Sequence, residues 1–75
     1  MAKNALRAVL AENLRAYRAR EQLSQDTFAA HCEVHRTYVG SVERCERNVT
    51  LGTLELFAKA MGVSVPVLLT KGGVK

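Results

Sequence analysis

Apolar residues recur along this chain at spacings of three and four, and nowhere do they alternate with polar ones long enough to form a strand. Leu6, Val9, Leu10, Leu14 and Tyr17 share one face of a helix expected over residues 5–20, with Arg7, Arg15, Arg18 and Arg20 on its flanks and outer side. Ser24 follows Leu23 as a good N-cap, since its hydroxyl can accept from a backbone N–H that the first helical turn leaves unpaired. It opens a second helix, expected over 25–32, with Phe28 and Ala29 facing inward. A third, over 35–44, turns Val39 and Val42 inward and Arg36, Thr37, Gly40, Ser41 and Arg44 outward. Its β-branched and small residues are mediocre helix formers, so it depends on tertiary packing. A polar linker from Cys45 to Val49 leads to Thr50, which caps a fourth helix. That helix carries Leu51, Leu54, Phe57, Ala58 and Met61 on one face and stops at Gly62. Ser64 caps a short last helix bearing Val65, Val67, Leu68 and Leu69, and residues 71–75 read as a flexible tail. The expected fold class is all-α, with five short helices around one small core in a single domain over residues 1–70.

Composition narrows the function classes. A chain of 75 residues with 48% hydrophobic and 24% charged side chains is balanced for folding. At this length only roughly 60% of the unfolded surface is buried, so a partner subunit would add stability. No apolar run nears the roughly 20 residues of a membrane-spanning helix. Met1-Ala2-Lys3-Asn4 lacks the apolar stretch of a signal peptide, and a cytoplasmic protein is expected. Cys32 and Cys45 form no CxxC pair, which suits a reduced chain. The net charge of +4 favours a polyanion as partner. Its distribution is uneven: residues 1–23 carry five basic and two acidic side chains (+3), 24–50 three and four (−1), and 51–75 three and one (+2). A nucleic-acid reading therefore has to rest on geometry.

That geometry lies in Leu23-Ser24-Gln25-Asp26-Thr27-Phe28-Ala29-Ala30, followed by Val34, Val39, Val42 and Glu43-Arg44. Two short helices are joined by a turn of about three residues, with small Ala29 where their axes cross. A larger side chain there would push the helices apart. The polar edge left on the second of them is compact enough to enter a major groove.

On these residues the chain resembles the Cro/cI-type (XRE-like) helix-turn-helix regulators of bacteria and phage, over about residues 6–69. Leu23-Ser24-Gln25, Arg36-Thr37-Tyr38, Glu43-Arg44 with Glu46-Arg47-Asn48, and Leu54 through Val65 with Ala58-Lys59-Ala60-Met61-Gly62-Val63-Ser64 carry the likeness. Its size and basic balance are similar to single-domain members, including controller proteins of restriction–modification systems. The resemblance implies a lambda-repressor-like domain that regulates transcription, binding a palindromic operator in double-stranded DNA as a homodimer. By the same likeness, Arg36, Thr37 and Ser41 read bases, Arg36 through a bidentate contact to a guanine edge. Gln25, Tyr38, Arg44, Arg47 and Asn48 touch phosphates, and Arg18 pairs with Glu43 to tie the first helix to the recognition helix. Asp26 sits near the face some members present to RNA polymerase, which leaves such a contact open. Val65, Val67, Leu68 and Leu69 exceed what a small core absorbs and are the expected dimer surface; the alternative is that they finish the core, which is expected of two of them.

Three positions depart from the family pattern. Glu33 and Cys45 stand where glycine is usual, and a non-glycine residue at positive φ costs roughly 1 kcal/mol. His35 stands where Ser or Thr often caps the recognition helix. Elsewhere there is no phosphate-binding glycine loop and no nucleophile elbow, so no enzyme is expected. His31, Cys32, His35 and Cys45 lack zinc-finger spacing, and neither metal nor cofactor is expected. Two other classes stay open: an antitoxin-like protein-interaction module, and a thiol- or metal-responsive regulator.

Overall fold

In the computed structural model, which describes residues 5–74, the chain runs through five helices. They are α1 (Ala5–Glu21), α2 (Gln25–Cys32), α3 (Arg36–Glu43), α4 (Leu51–Met61) and α5 (Val65–Leu68). The helices begin where local chemistry dictates. Ser24 Oγ accepts from the Thr27 N–H at 3.0 Å, Thr50 Oγ1 from Thr53 at 3.1 Å and Ser64 Oγ from Val67 at 3.3 Å. At α3 the imidazole does the same work: His35 Nδ1 accepts from the Thr37 N–H at 3.1 Å. An aromatic ring nitrogen thus replaces the usual hydroxyl.

One device closes α1 to α4. A residue in the left-handed region donates its N–H three residues back, and its successor donates five back, so two end carbonyls are satisfied at once. Gln22 and Leu23 do this for Ala19 and Arg18, Glu33 and Val34 for Ala30 and Ala29, and Cys45 and Glu46 for Val42 and Ser41. Gly62 and Val63 do it for Lys59 and Ala58. Only the last uses glycine, while Gln22, Glu33 and Cys45 sit at φ 57°, 61° and 61°. Backbone strain is therefore present on both sides of α3. Glu33→Gly and Cys45→Gly are each expected to stabilise the fold by about 1 kcal/mol. The check is a rise in denaturant midpoint at unchanged slope. A fall would mean that the side chains contribute more than the backbone loses.

The core is organised by a row of rings. Tyr17 lies 5.7 Å from Phe28, Phe28 stacks on Phe57 at 6.0 Å, and Phe57 on Tyr38 at 6.5 Å, linking α1, α2, α4 and α3. These four are all the aromatics in the chain. A guanidinium ends the row on each side, Arg20 over Tyr17 and Arg47 over Tyr38, both at 5.1 Å. Around the rings Leu10, Leu14, Ala29, Cys32, Val39, Val42, Leu54, Ala58, Met61 and Leu68 are buried, much as the helical periodicity predicts.

Four placements differ from expectation. Leu6 is 60% exposed and Leu51 77%, because each apolar stripe runs one turn past the core. Leu68 is fully buried and cannot serve a dimer surface, whereas Val65, Val67 and Leu69 are half-buried against the core. Gly40 and Ser41 are buried rather than outward, because the Gln25 and Arg44 side chains lie beside Gly40 and Arg47 covers Ser41. Finally, residues 71–74 end in a buried Val74 instead of a loose tail. Asn13 on α1 accounts for that last feature. Its Nδ2 donates to the carbonyls of Leu68 at 2.8 Å and Thr70 at 3.1 Å, while its Oδ1 accepts from the Val74 N–H at 3.4 Å. A buried amide with its donors and acceptor satisfied fastens the last turn to the first helix.

Candidate nucleic-acid interface

The turn Glu33–His35 sets α3 across α2, and Val39 and Val42 fix its inner face. Gly40 lies against two side chains: a Cβ there would be 3.2 Å from Arg44 Nη1, which would have to give slightly, and at ordinary contact distance, 3.4 Å, from Gln25 Oε1. The C-terminal end of α3 is held by a buried carboxylate. Arg18 grips Glu43 in two parallel bonds, Nε to Oε2 and Nη2 to Oε1, both 2.7 Å. Gln25 Nε2 adds a third at 3.1 Å, and Arg15 Nη1 donates to the Glu43 carbonyl. Arg18 also reaches the Leu23 carbonyl at 3.0 Å. The hydrogen bonding of Arg18 to Glu43 is the main reason its guanidinium is held above its usual pKa. Fork-to-fork geometry of this kind fixes orientation as well as sign. Three helices thus meet at one side chain.

With the far end fixed, the N-terminal end of α3 stands in solvent. Arg36 and Thr37 are exposed there, and Arg36 Nη1 lies 3.5 Å from Asp26 Oδ2 on α2. Beyond the other end, Arg47 lies flat on Tyr38 and donates through Nε to Ser41 Oγ at 2.9 Å. Ser41 in turn donates to the Tyr38 carbonyl at 2.8 Å. Ser41, Glu46, Arg47 and Asn48 line a cleft of about 350 Å³ beside the helix. Arg44 is exposed and pairs with Glu46 at 3.2 Å.

The −1 charge of the central segment looks different in three dimensions. Glu43 faces inward and is neutralised by Arg18 from another segment, while Asp26 and Glu46 pair with Arg36 and Arg44. Thiol chemistry is disfavoured at one position: burial pushes the Cys32 thiol up to about 12, so it stays protonated near neutral pH.

The family model for a helix-turn-helix domain matches residues 9–69. The chain belongs to the helix-turn-helix domain family. Over 70 residues it is 56% identical to control protein C.SmaI of Serratia marcescens, covering 93% of this chain and 83% of that protein. The crystal structure of a hypothetical transcription factor from Neisseria is similar at a TM-score of 0.83 and 44% identity, covering 88% of this chain and 76% of the other. Restriction-modification controller protein C.Esp1396I, solved as a tetramer in complex with its natural 35 base-pair operator, is similar at 0.74 and 30%, covering 84% and 83%.

In this helix-turn-helix protein, α2 and α3 are the paired helices, and the expected site residues fall into two groups. Arg36, Thr37, Arg44, Arg47 and Asn48 are exposed along or beside α3, with half-buried Tyr38 beneath Arg47. Ser41 and Gln25 are placed otherwise. The Ser41 hydroxyl is occupied by Tyr38 and Arg47, so it holds Arg47 instead of facing a groove. Gln25 is anchored on Glu43, and any phosphate contact has to be made from that tethered position. The Arg18–Glu43 pair forms as the resemblance implies. Arg15 and Asn13 gain roles that helical periodicity does not assign them, although the three-residue spacing of Arg15 and Arg18 puts both on one helix face. No helix among the described residues is long and apolar enough to cross a membrane.

Proposed function

We propose that this chain is a sequence-specific transcriptional regulator that binds a palindromic operator as a homodimer, with α3 in the major groove. One observation carries the reading. The polar N-terminal end of α3, with Arg36 and Thr37, stands exposed on a helix whose opposite end is locked by a buried three-helix network. A rigid helix with a free polar tip is what base-edge readout requires. In this reading Arg36 takes a guanine edge, Thr37 an adjacent base, and Arg44, Arg47, Tyr38 and Asn48 the flanking phosphates. Ser41 acts through Arg47, and Gln25 through the placing of α3. The operator complex of C.Esp1396I, a protein similar over 84% of this chain, supports DNA as the partner.

An area argument supports homodimerisation. A single small module covers about 600–1,000 Å² of DNA, whereas two recognition helices about 34 Å apart double the contact and match a two-fold site. The apolar surface left for pairing comprises the outer parts of Val65, Val67 and Leu69, and exposed Leu6 and Leu51. Leu6 and Leu69 line one cleft of about 270 Å³ together with Arg7, Arg47 and Asn48, which brings the start of α1 and the end of α5 to one face.

Selection of bound duplexes from random DNA by the purified chain, at fixed salt, tests the proposal. An inverted repeat with half-sites one helical turn apart is the expected consensus. Uniform retention of all sequences, falling only with salt, would overturn it.

A further inference from the structure

Arg36 is not a free arm. Its ion pair with Asp26 bridges the first turns of α2 and α3, and both side chains are about two-thirds exposed, at 66% and 67%. A pair so exposed adds little to stability. Its consequence is orientation. Nη1 is the nitrogen nearest the carboxylate, and a guanidinium engaged through Nη1 still offers two parallel N–H donors on its Nε–Nη2 edge to a base. The next cation along α3, Arg44, is turned to Glu46, so Arg36 is the guanidinium that Asp26 holds.

We propose that Asp26 is a specificity-determining residue, aiming Arg36 at the base edge and withholding it from the phosphates; this rests on the base-reading role proposed for Arg36. An unrestrained arginine is satisfied equally well by any phosphate, and that contact carries no sequence information. The carboxylate changes the comparison in two ways. It restricts the long side chain before docking, so less rotamer freedom is lost when the correct base is met. It also repels phosphate oxygens, so a backbone-only complex must either break the pair or bring like charges together. At the correct site the pair stays intact, and exclusion of water in the closed groove strengthens it. Asp26 therefore opposes binding in general and favours one sequence.

The test compares two probes: a duplex selected by the unaltered protein and a scrambled duplex of equal length and composition. Asp26→Asn is expected to lower the ratio of the two affinities about tenfold, mainly by tightening the scrambled complex. Asp26→Glu should restore part of that ratio. In an Arg36→Ala background, Asp26→Asn should leave the ratio unmoved, since the residue acts through Arg36. An unaltered thermal midpoint would separate this effect from loss of fold. If Asp26→Asn leaves the ratio unchanged while Arg36→Ala lowers it, the inference about Asp26 is overturned and base reading stands. If Arg36→Ala leaves the ratio unchanged, base reading itself is overturned, and the role of Asp26 falls with it.

Discussion

Arg36→Ala is expected to weaken binding to the selected operator about ten- to a hundredfold while scrambled duplex binding falls only a few-fold. The asymmetry follows from where the side chain stands. Arg36 is the first residue of α3 and exposed, and its pairing with Asp26 through Nη1 leaves the Nε–Nη2 edge to donate. A bidentate contact to guanine O6 and N7 distinguishes the correct base by about 1–3 kcal/mol, and alanine forfeits all of it. Arg47→Ala makes the contrasting case. Arg47 is stacked on Tyr38 and tied to Ser41, beside the helix rather than at its tip. Losing it should weaken every sequence alike and reduce the salt slope by about one. Titrations of both probes at several salt concentrations give the answer. Equal losses for the two duplexes with Arg36→Ala would make that residue a phosphate contact.

The second large effect falls on stability. Glu43→Ala leaves the Arg18 guanidinium and the Gln25 amide facing a partly buried void, without the acceptor that three hydrogen bonds now share. Breaking one side of such a pair costs about 3–5 kcal/mol, a large share of the roughly 5–15 kcal/mol that holds a small domain folded. DNA binding should fall with it, since the same carboxylate fixes the angle of α3. Replacing both partners by apolar residues of similar volume is expected to recover most of the stability, because no buried charge is then unpaired. Recovery of DNA affinity should be smaller, as the apolar pair does not reproduce the two-pronged geometry. Denaturant titration of the single and double variants forms the cycle. A loss below about 1 kcal/mol for Glu43→Ala would show that water replaces the carboxylate freely.

The roles of Arg36 and Glu43 are both legible in the sequence only through family likeness. The Arg18–Glu43 pair was expected only through family likeness, since twenty-five positions separate the partners and neither is marked by periodicity. Gln25 and Ser41 looked like surface groups because their spacing puts them beside exposed positions. Gln25 is instead half-buried against Glu43, and Ser41 lies buried under Arg47. Asn13 gave no signal at all. A polar residue between Glu12 and Leu14 suits the rim of a helix, and its partners lie more than fifty residues away.

What the amino-acid order settled by itself is local: the five helices, three hydroxyl caps and the inward stripes, while the left-handed positions at Glu33 and Cys45 came through family likeness. Each depends on hydrogen bonds and side chains within a few residues of one another, and such chemistry travels with the segment. Tertiary structure alone decided which surplus apolar side chains were covered, leaving Leu6 and Leu51 outside and sealing Leu68 and Val74 within. It also decided where the long side chains ended up, with Arg18 on Glu43, Arg47 on Tyr38 and Arg36 beside Asp26. A flexible guanidinium reaches many partners along one helix, and only the packing of distant segments brings one of them close enough to hold it.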